Sequence, residues 1–111
     1  MNQETNHSFF DAMKDKGIIV GTVVLSKCGH DTGRIYIVVS EEDSYLCLCD
    51  GDKRTLAAPK KKRRRHVCPL GQILNAHEWF ALLDGLSAQQ QDSELRKEIR
   101  SFLDRHRETV T

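Results

Sequence analysis

The sequence predicts a mostly β protein: a small closed or nearly closed barrel of about five short strands, with a C-terminal appendage of one or two short helices. Three observations lead there. Apolar, β-branched runs alternate with tight polar turns from Ile18 to Leu70, the texture of short strands in quick succession. Several runs are apolar at consecutive positions, so one face fills an interior and the other needs a cover. After Asn75 the apolar residues change to helical spacing, and that segment can supply the cover.

The elements follow in order. Ser8 can cap a short helix through Lys16, ended by Gly17; a frayed polar tail is the equal alternative. Ile18–Leu25 is the first strand, and Ser26–Gly33 is a loop whose two glycines are free to take positive φ. Arg34–Val39 and Tyr45–Cys49 are the second and third strands, separated by the polar turn Glu41–Ser44. Asp50-Gly51 is a hairpin dipeptide leading into a fourth, short strand, Lys53–Ala57. Arg65–Leu70 is the fifth strand, beyond a basic loop, and its Pro69 points to an edge or a strand end. Asn75 with Glu78 forms a capping box for a helix carrying Ala76, Trp79, Phe80 and Leu83, stopped by Gly85. Ser87 with Gln90 starts a second helix with Leu95, Ile99, Phe102, Leu103 and His106 on one face. The chain therefore divides into an N-terminal tail or short helix (residues 1–16), the barrel with its basic loop (17–72) and a helical extension (73–111).

A chain of 111 residues has room for one modest core and none for a large enclosed active site. The net charge of +1 hides a sorted distribution. Residues 1–52 hold four cations against nine acids, residues 53–66 hold eight cations and no acid, and residues 67–111 hold five cations against seven acids. Positive charge gathered in one stretch focuses potential where a polyanion can dock. No apolar run approaches the roughly 20 residues of a membrane span, and the first residues lack a basic segment leading into an apolar one. A cytoplasmic protein with four reduced cysteines is the expectation.

The basic loop is Pro59-Lys60-Lys61-Lys62-Arg63-Arg64-Arg65-His66, with Lys53 and Arg54 just upstream. Such a run repels itself until phosphates supply counter-charge and condensed counterions are released. Arginine adds bidentate geometry for phosphate oxygens, and lysine acts as a point charge. No aromatic residue interleaves the run, which favours backbone gripping of structured RNA over stacking on unpaired bases. Three other readings are a solvated surface loop, a nuclear-import signal and an anionic-membrane patch, the last without an amphipathic basic helix to support it.

Residues 18–68 resemble the KOW-domain proteins related to several large-subunit ribosomal proteins of archaea and eukaryotes. The blocks that carry the resemblance are Gly21–Arg34, Ile35–Val39, Asp50-Gly51, Lys53-Arg54, Pro59–Lys62 and His66, in that order and spacing. Residues Ser93–Arg105 resemble the short C-terminal helix of some members. The resemblance implies an SH3-like barrel, binding of RNA (ribosomal RNA above all) or the ribosome, and no catalysis. The RNA-contacting positions it implies are Lys27, Gly29, His30 and Arg34 in the first loop, then Lys53, Arg54, Lys60, Lys61, Lys62, Arg63, Arg64, Arg65 and His66. Cys28, the extra arginines Arg63–Arg65 and the Gly71–Ala88 stretch depart from the pattern.

The remaining reactive groups do not suggest an enzyme. Cys28, Cys47, Cys49 and Cys68 lack the paired spacing of common zinc sites and read as small core residues, the alternative being a zinc site assembled from them or using His30 or His66. Cys28 with His30 lacks an activating base and an oxyanion site. No cofactor and no metal are expected. A protein-interaction adaptor using Trp79, Phe80 and Phe102 as exposed anchors, and a stoichiometric structural protein of the ribosome, are the rival functions.

Overall fold

The computed structural model describes residues 18–110, and the expected Ser8–Lys16 helix or tail lies outside them. The elements are β1 (Thr22–Ser26), β2 (Ile35–Glu41), β3 (Tyr45–Cys49), β4 (Lys60–Arg63), a 3-10 turn (Arg64–His66), β5 (Val67–Gln72), α1 (Ala76–Leu83) and α2 (Ala88–Val110). All ladders are antiparallel, in the spatial order β4-β3-β2-β1-β5. Hydrogen bonding does not close a barrel. The sheet is open, with no ladder between β4 and β5 among the described residues, and the architecture is mixed α/β rather than mostly β: a five-stranded sheet followed by two helices, the second long enough to match the sheet in weight. Its two edge strands are nevertheless consecutive in the chain, joined only by Arg64–His66.

Alternation along the strands creates two apolar layers. Val24 pairs with Tyr36, and Val38 with Leu48. These residues share one core cluster with Ile18, Leu46 and Val67. Val23 pairs with Ile37, and Ile37 with Cys49. Ile37 and Cys49 face the other way, into a cluster with Trp79, Leu95 and Ile99 from the helices. The cover that the two-sided strands require is thus α1 and α2.

Local chemistry sets where the helices begin. Asn75 Oδ1 accepts from the Glu78 N–H at 2.8 Å while Glu78 Oε1 accepts from the Asn75 N–H at 3.0 Å, the reciprocal cap expected from sequence. Ser87 and Gln90 repeat it at the foot of α2. That helix runs for 23 residues, longer than expected. It packs against the turn after β3 at Gly51, where φ is 80° and an added Cβ would collide with the Asp92 carbonyl.

Three strand assignments need correction. Lys53–Ala57 is not a strand, because the Asp50 carboxylate accepts from the N–H groups of Asp52 and Arg54, both at 2.9 Å, and holds a turn there. The cationic run is not a loop: Lys60–Arg63 pairs residue by residue with β3, Leu46 opposite Lys62 and Tyr45 opposite Arg63. The last strand is Val67–Gln72 rather than Arg65–Leu70, and Pro69 lies on this edge strand, next to a register shift. No helix among the described residues is long and apolar enough to cross a membrane.

Candidate functional site

The first loop is a compact turn built by its own backbone. The Gly33 N–H donates to the Ser26 carbonyl at 2.9 Å, the Arg34 N–H to the Asp31 carbonyl at 2.9 Å, and the Thr32 hydroxyl to the Gly29 carbonyl at 2.6 Å. Gly29 and Gly33 take φ of 89° and 92°, which a turn this tight requires. The consequence is that His30 and Arg34 project outward while Asp31 turns in.

Asp31 is the centre of a buried polar cluster. Lys62 Nζ lies 2.8 Å from its Oδ1 and Lys60 Nζ 3.4 Å from its Oδ2. The Ser26 hydroxyl donates to Oδ1 and the Tyr36 hydroxyl to Oδ2, both at 2.9 Å. Lys62 Nζ also donates to the Cys28 carbonyl at 2.7 Å. Asp31 and Lys62 are 7% and 8% exposed, so this charge pair is removed from water and needs all of these partners. Burial alone would raise the Asp31 pKa. Hydrogen bonds from Lys62, Ser26 and Tyr36, with the Lys62 charge, outweigh it and hold the carboxyl well below the usual range. Burial and the bond to Asp31 push the Tyr36 hydroxyl up to about 12.

Above this cluster lies a groove of about 330 Å³ lined by His30, Asp31, Arg34, Tyr36, Lys53, Arg54 and Lys60. Its walls come from three stretches of chain: the first loop with β2, the Asp50-anchored turn, and the start of β4. A second anchor steadies the turn, since the Leu56 N–H donates to Asp92 of α2 at 2.9 Å. No carboxylate pairs with Arg34, Lys53 or Arg54 among the described residues. The one acid in the lining, Asp31, already has both oxygens engaged. The groove therefore presents cationic donors and suits an anion.

Of the thirteen residues expected to contact RNA, five meet in this groove: His30, Arg34, Lys53, Arg54 and Lys60. Gly29 shapes the loop beside it. Lys27 is exposed, and its N–H donates to the His66 carbonyl at 2.9 Å. Lys61 and Arg63 lie over the Tyr45 ring, at 4.8 and 5.2 Å from its centroid, and Arg65 is exposed in the 3-10 turn.

Two of the expected contacts are instead held inside the structure. Lys62 is buried against Asp31. Arg64 donates to the carbonyls of Ile18, Glu42 and Asp43 and reaches Glu41 at 3.4 Å. Sequence reasoning missed Asp31, Ser26 and Tyr36 as organisers of the site. An acid inside a loop of cations is a faint signal, and its partner Lys62 stands 31 residues away.

Other candidates separate in the same way. Of the four cysteines expected in the core, Cys49 alone is fully buried, Cys47 and Cys68 are half-buried and Cys28 is exposed in the first loop; the Cys49 thiol donates to the Thr55 carbonyl at 3.2 Å and is pushed up to about 12 by burial, then by Asp92 and Asp50. Among the described residues no group of three or more His, Cys, Asp or Glu is placed to hold a metal ion. Trp79 and Phe102 are buried, and of the three aromatic anchors weighed for an adaptor only Phe80, 68% exposed, remains on the surface. Compared with protein-family models and with curated proteins, the chain matches none.

Proposed function

We propose that the protein is a non-enzymatic RNA-binding module of the KOW type, associated with the ribosome in the cytoplasm, that grips phosphates in the groove between its first loop and β4. The observation that carries this reading is the convergence of His30, Arg34, Lys53, Arg54 and Lys60 on one concavity. His30, Arg34 and Lys53 are exposed there, Lys60 is shared with Asp31, and that one acidic neighbour is saturated from within. A site of this kind contacts the phosphate backbone without reading base edges.

The strand order supports the SH3-like part of the proposal. The edges β4 and β5 are joined by three residues, a link short enough to favour a rolled sheet whose edges approach at that end. The core cluster around Tyr36 and Leu46 then fills the inside of that roll.

Binding to a structured RNA hairpin, measured across a salt series, tests the reading. Four groove cations give an expected slope of log affinity against log salt of about −3 to −4. Arg34→Gln with Lys53→Gln should make it shallower by about 2. A flat salt response removes the groove from the account. Stoichiometry on purified ribosomes distinguishes a transient factor from a structural subunit.

A further inference from the structure

We propose that β4 carries a second RNA contact on its opposite face, so that the protein bridges two RNA segments across this edge of the sheet; the inference rests on the RNA-binding reading of the groove. Successive side chains of a strand point to opposite faces, and in β4 every one of them is a cation. Lys60 points into the groove. Lys62 points the same way and is consumed by Asp31. Lys61 and Arg63 point away, opposite Cys47 and Tyr45 of β3.

On that other face Tyr45 lies beneath both cations, which restrains two long side chains and lowers the entropy lost when they bind. A second concavity, of about 180 Å³, opens beside them, lined by Asp43, Ser44, Arg63, Arg64 and Arg65. The local acids do not cancel this face. Glu41 is directed at Arg64 and at the Val20 N–H. Lys61 and Glu42 meet at 3.2 Å, but both side chains are more than half exposed, at 56% and 54%, so the pair is weak and readily exchanged for a phosphate. Asp43 is the remaining acid on the rim.

Lys60 and Arg63 are three residues apart, roughly 10 Å along the strand, and face opposite ways. A backbone lying in the groove runs past one face of β4 and does not reach the other. The second face therefore takes a separate RNA segment.

The test uses the full chain and two RNA hairpins of unrelated sequence, one immobilised and one fluorescent. The unaltered protein should bring the labelled hairpin onto the immobilised one. Capture should rise and then fall as protein exceeds RNA, the behaviour of a two-sited bridge. Lys61→Gln/Arg63→Gln/Arg65→Gln and, separately, Arg34→Gln/Lys53→Gln should each still bind one hairpin but lose capture, with unchanged melting temperatures. Binding of one hairpin by the unaltered protein without capture overturns the bridge and leaves the groove reading standing. Full capture by the triple variant also overturns it, because the link then comes from pairing of protein copies. No binding of either hairpin overturns the groove reading and the bridge together.

Discussion

Lys62 Nζ lies 2.8 Å from Asp31 Oδ1, tying β4 to the first loop across 31 residues of sequence. This pair divides a run of six similar cations into different roles. Lys62 and Arg64 hold the fold, Lys60 joins the groove, and Lys61, Arg63 and Arg65 face elsewhere. It also orders the groove before any ligand arrives, since the carboxylate that fixes Lys62 also engages Lys60 and Tyr36.

Breaking the pair from its two ends should cost unequal amounts. Removing one partner of a buried ion pair typically costs about 3–5 kcal/mol. With Lys62→Met, Asp31 keeps Ser26, Tyr36 and Lys60, whereas with Asp31→Ala, Lys62 keeps only the Cys28 carbonyl. Asp31→Ala should be the more damaging in denaturant unfolding, and Asp31→Ala/Lys62→Met should cost less than the sum of the two. Additive single effects would mean the residues do not act as a pair.

The same carboxyl makes stability fall in acid. Its folded pKa is depressed below the ordinary 3.8, so its stabilisation is fully present above that value and is lost as pH falls through it towards the folded value. Tyr36 acts at the other extreme. With a folded value of about 12 against an ordinary 10.0, its contribution is full below pH 10 and lost as pH rises towards 12. Unfolding midpoints across pH should show a flatter acid limb for Asp31→Asn and a flatter alkaline limb for Tyr36→Phe. Limbs parallel to the unaltered protein's would count against both assignments.

These roles show what sequence could and could not reveal. β1, β2 and β3 were legible because Val23, Val24, Ile37, Val38, Leu46 and Leu48 are β-branched or apolar in short runs between turn residues. The caps at Asn75 and Ser87 were legible because a cap is a local hydrogen-bond exchange. β4 was hidden for a physical reason: a strand is recognised by alternation, and in Lys60–Arg63 every side chain is a cation whichever way it points. The cations of the groove are visible in the sequence, but how a run of them divides between groove and fold depends on Asp31, whose contact with Lys62 spans 31 residues.

Arg64 and Arg65 are neighbours with opposite expected effects. The Arg64 side chain is 10% exposed and bonds three main-chain carbonyls. Arg64→Gln should therefore lower stability by about 1–3 kcal/mol while leaving RNA affinity nearly unchanged. Arg65 is exposed. Arg65→Gln should keep stability within about 0.5 kcal/mol and, on an Arg34→Gln/Lys53→Gln background where the second face does the binding, make the salt slope of RNA binding shallower by about 1. Thermal melts paired with salt titrations separate the two, and equal behaviour of the two variants would contradict the division.

Trp79 and Phe80 give the corresponding contrast in the helical cover. Trp79 is 2% exposed, in the layer between α1, α2 and the sheet, whereas Phe80 is 68% exposed. Trp79→Ala should cost about 3–5 kcal/mol by opening a cavity there. Phe80→Ala should stay within about 0.5 kcal/mol. Trp79 is the only tryptophan, so the folded protein should emit at short wavelength and shift to the red on unfolding. Water-exposed emission from the folded chain would mean that the helices do not cover the sheet. Loss of RNA binding in Phe80→Ala, with stability intact, would move the interface from the β4 edge to α1.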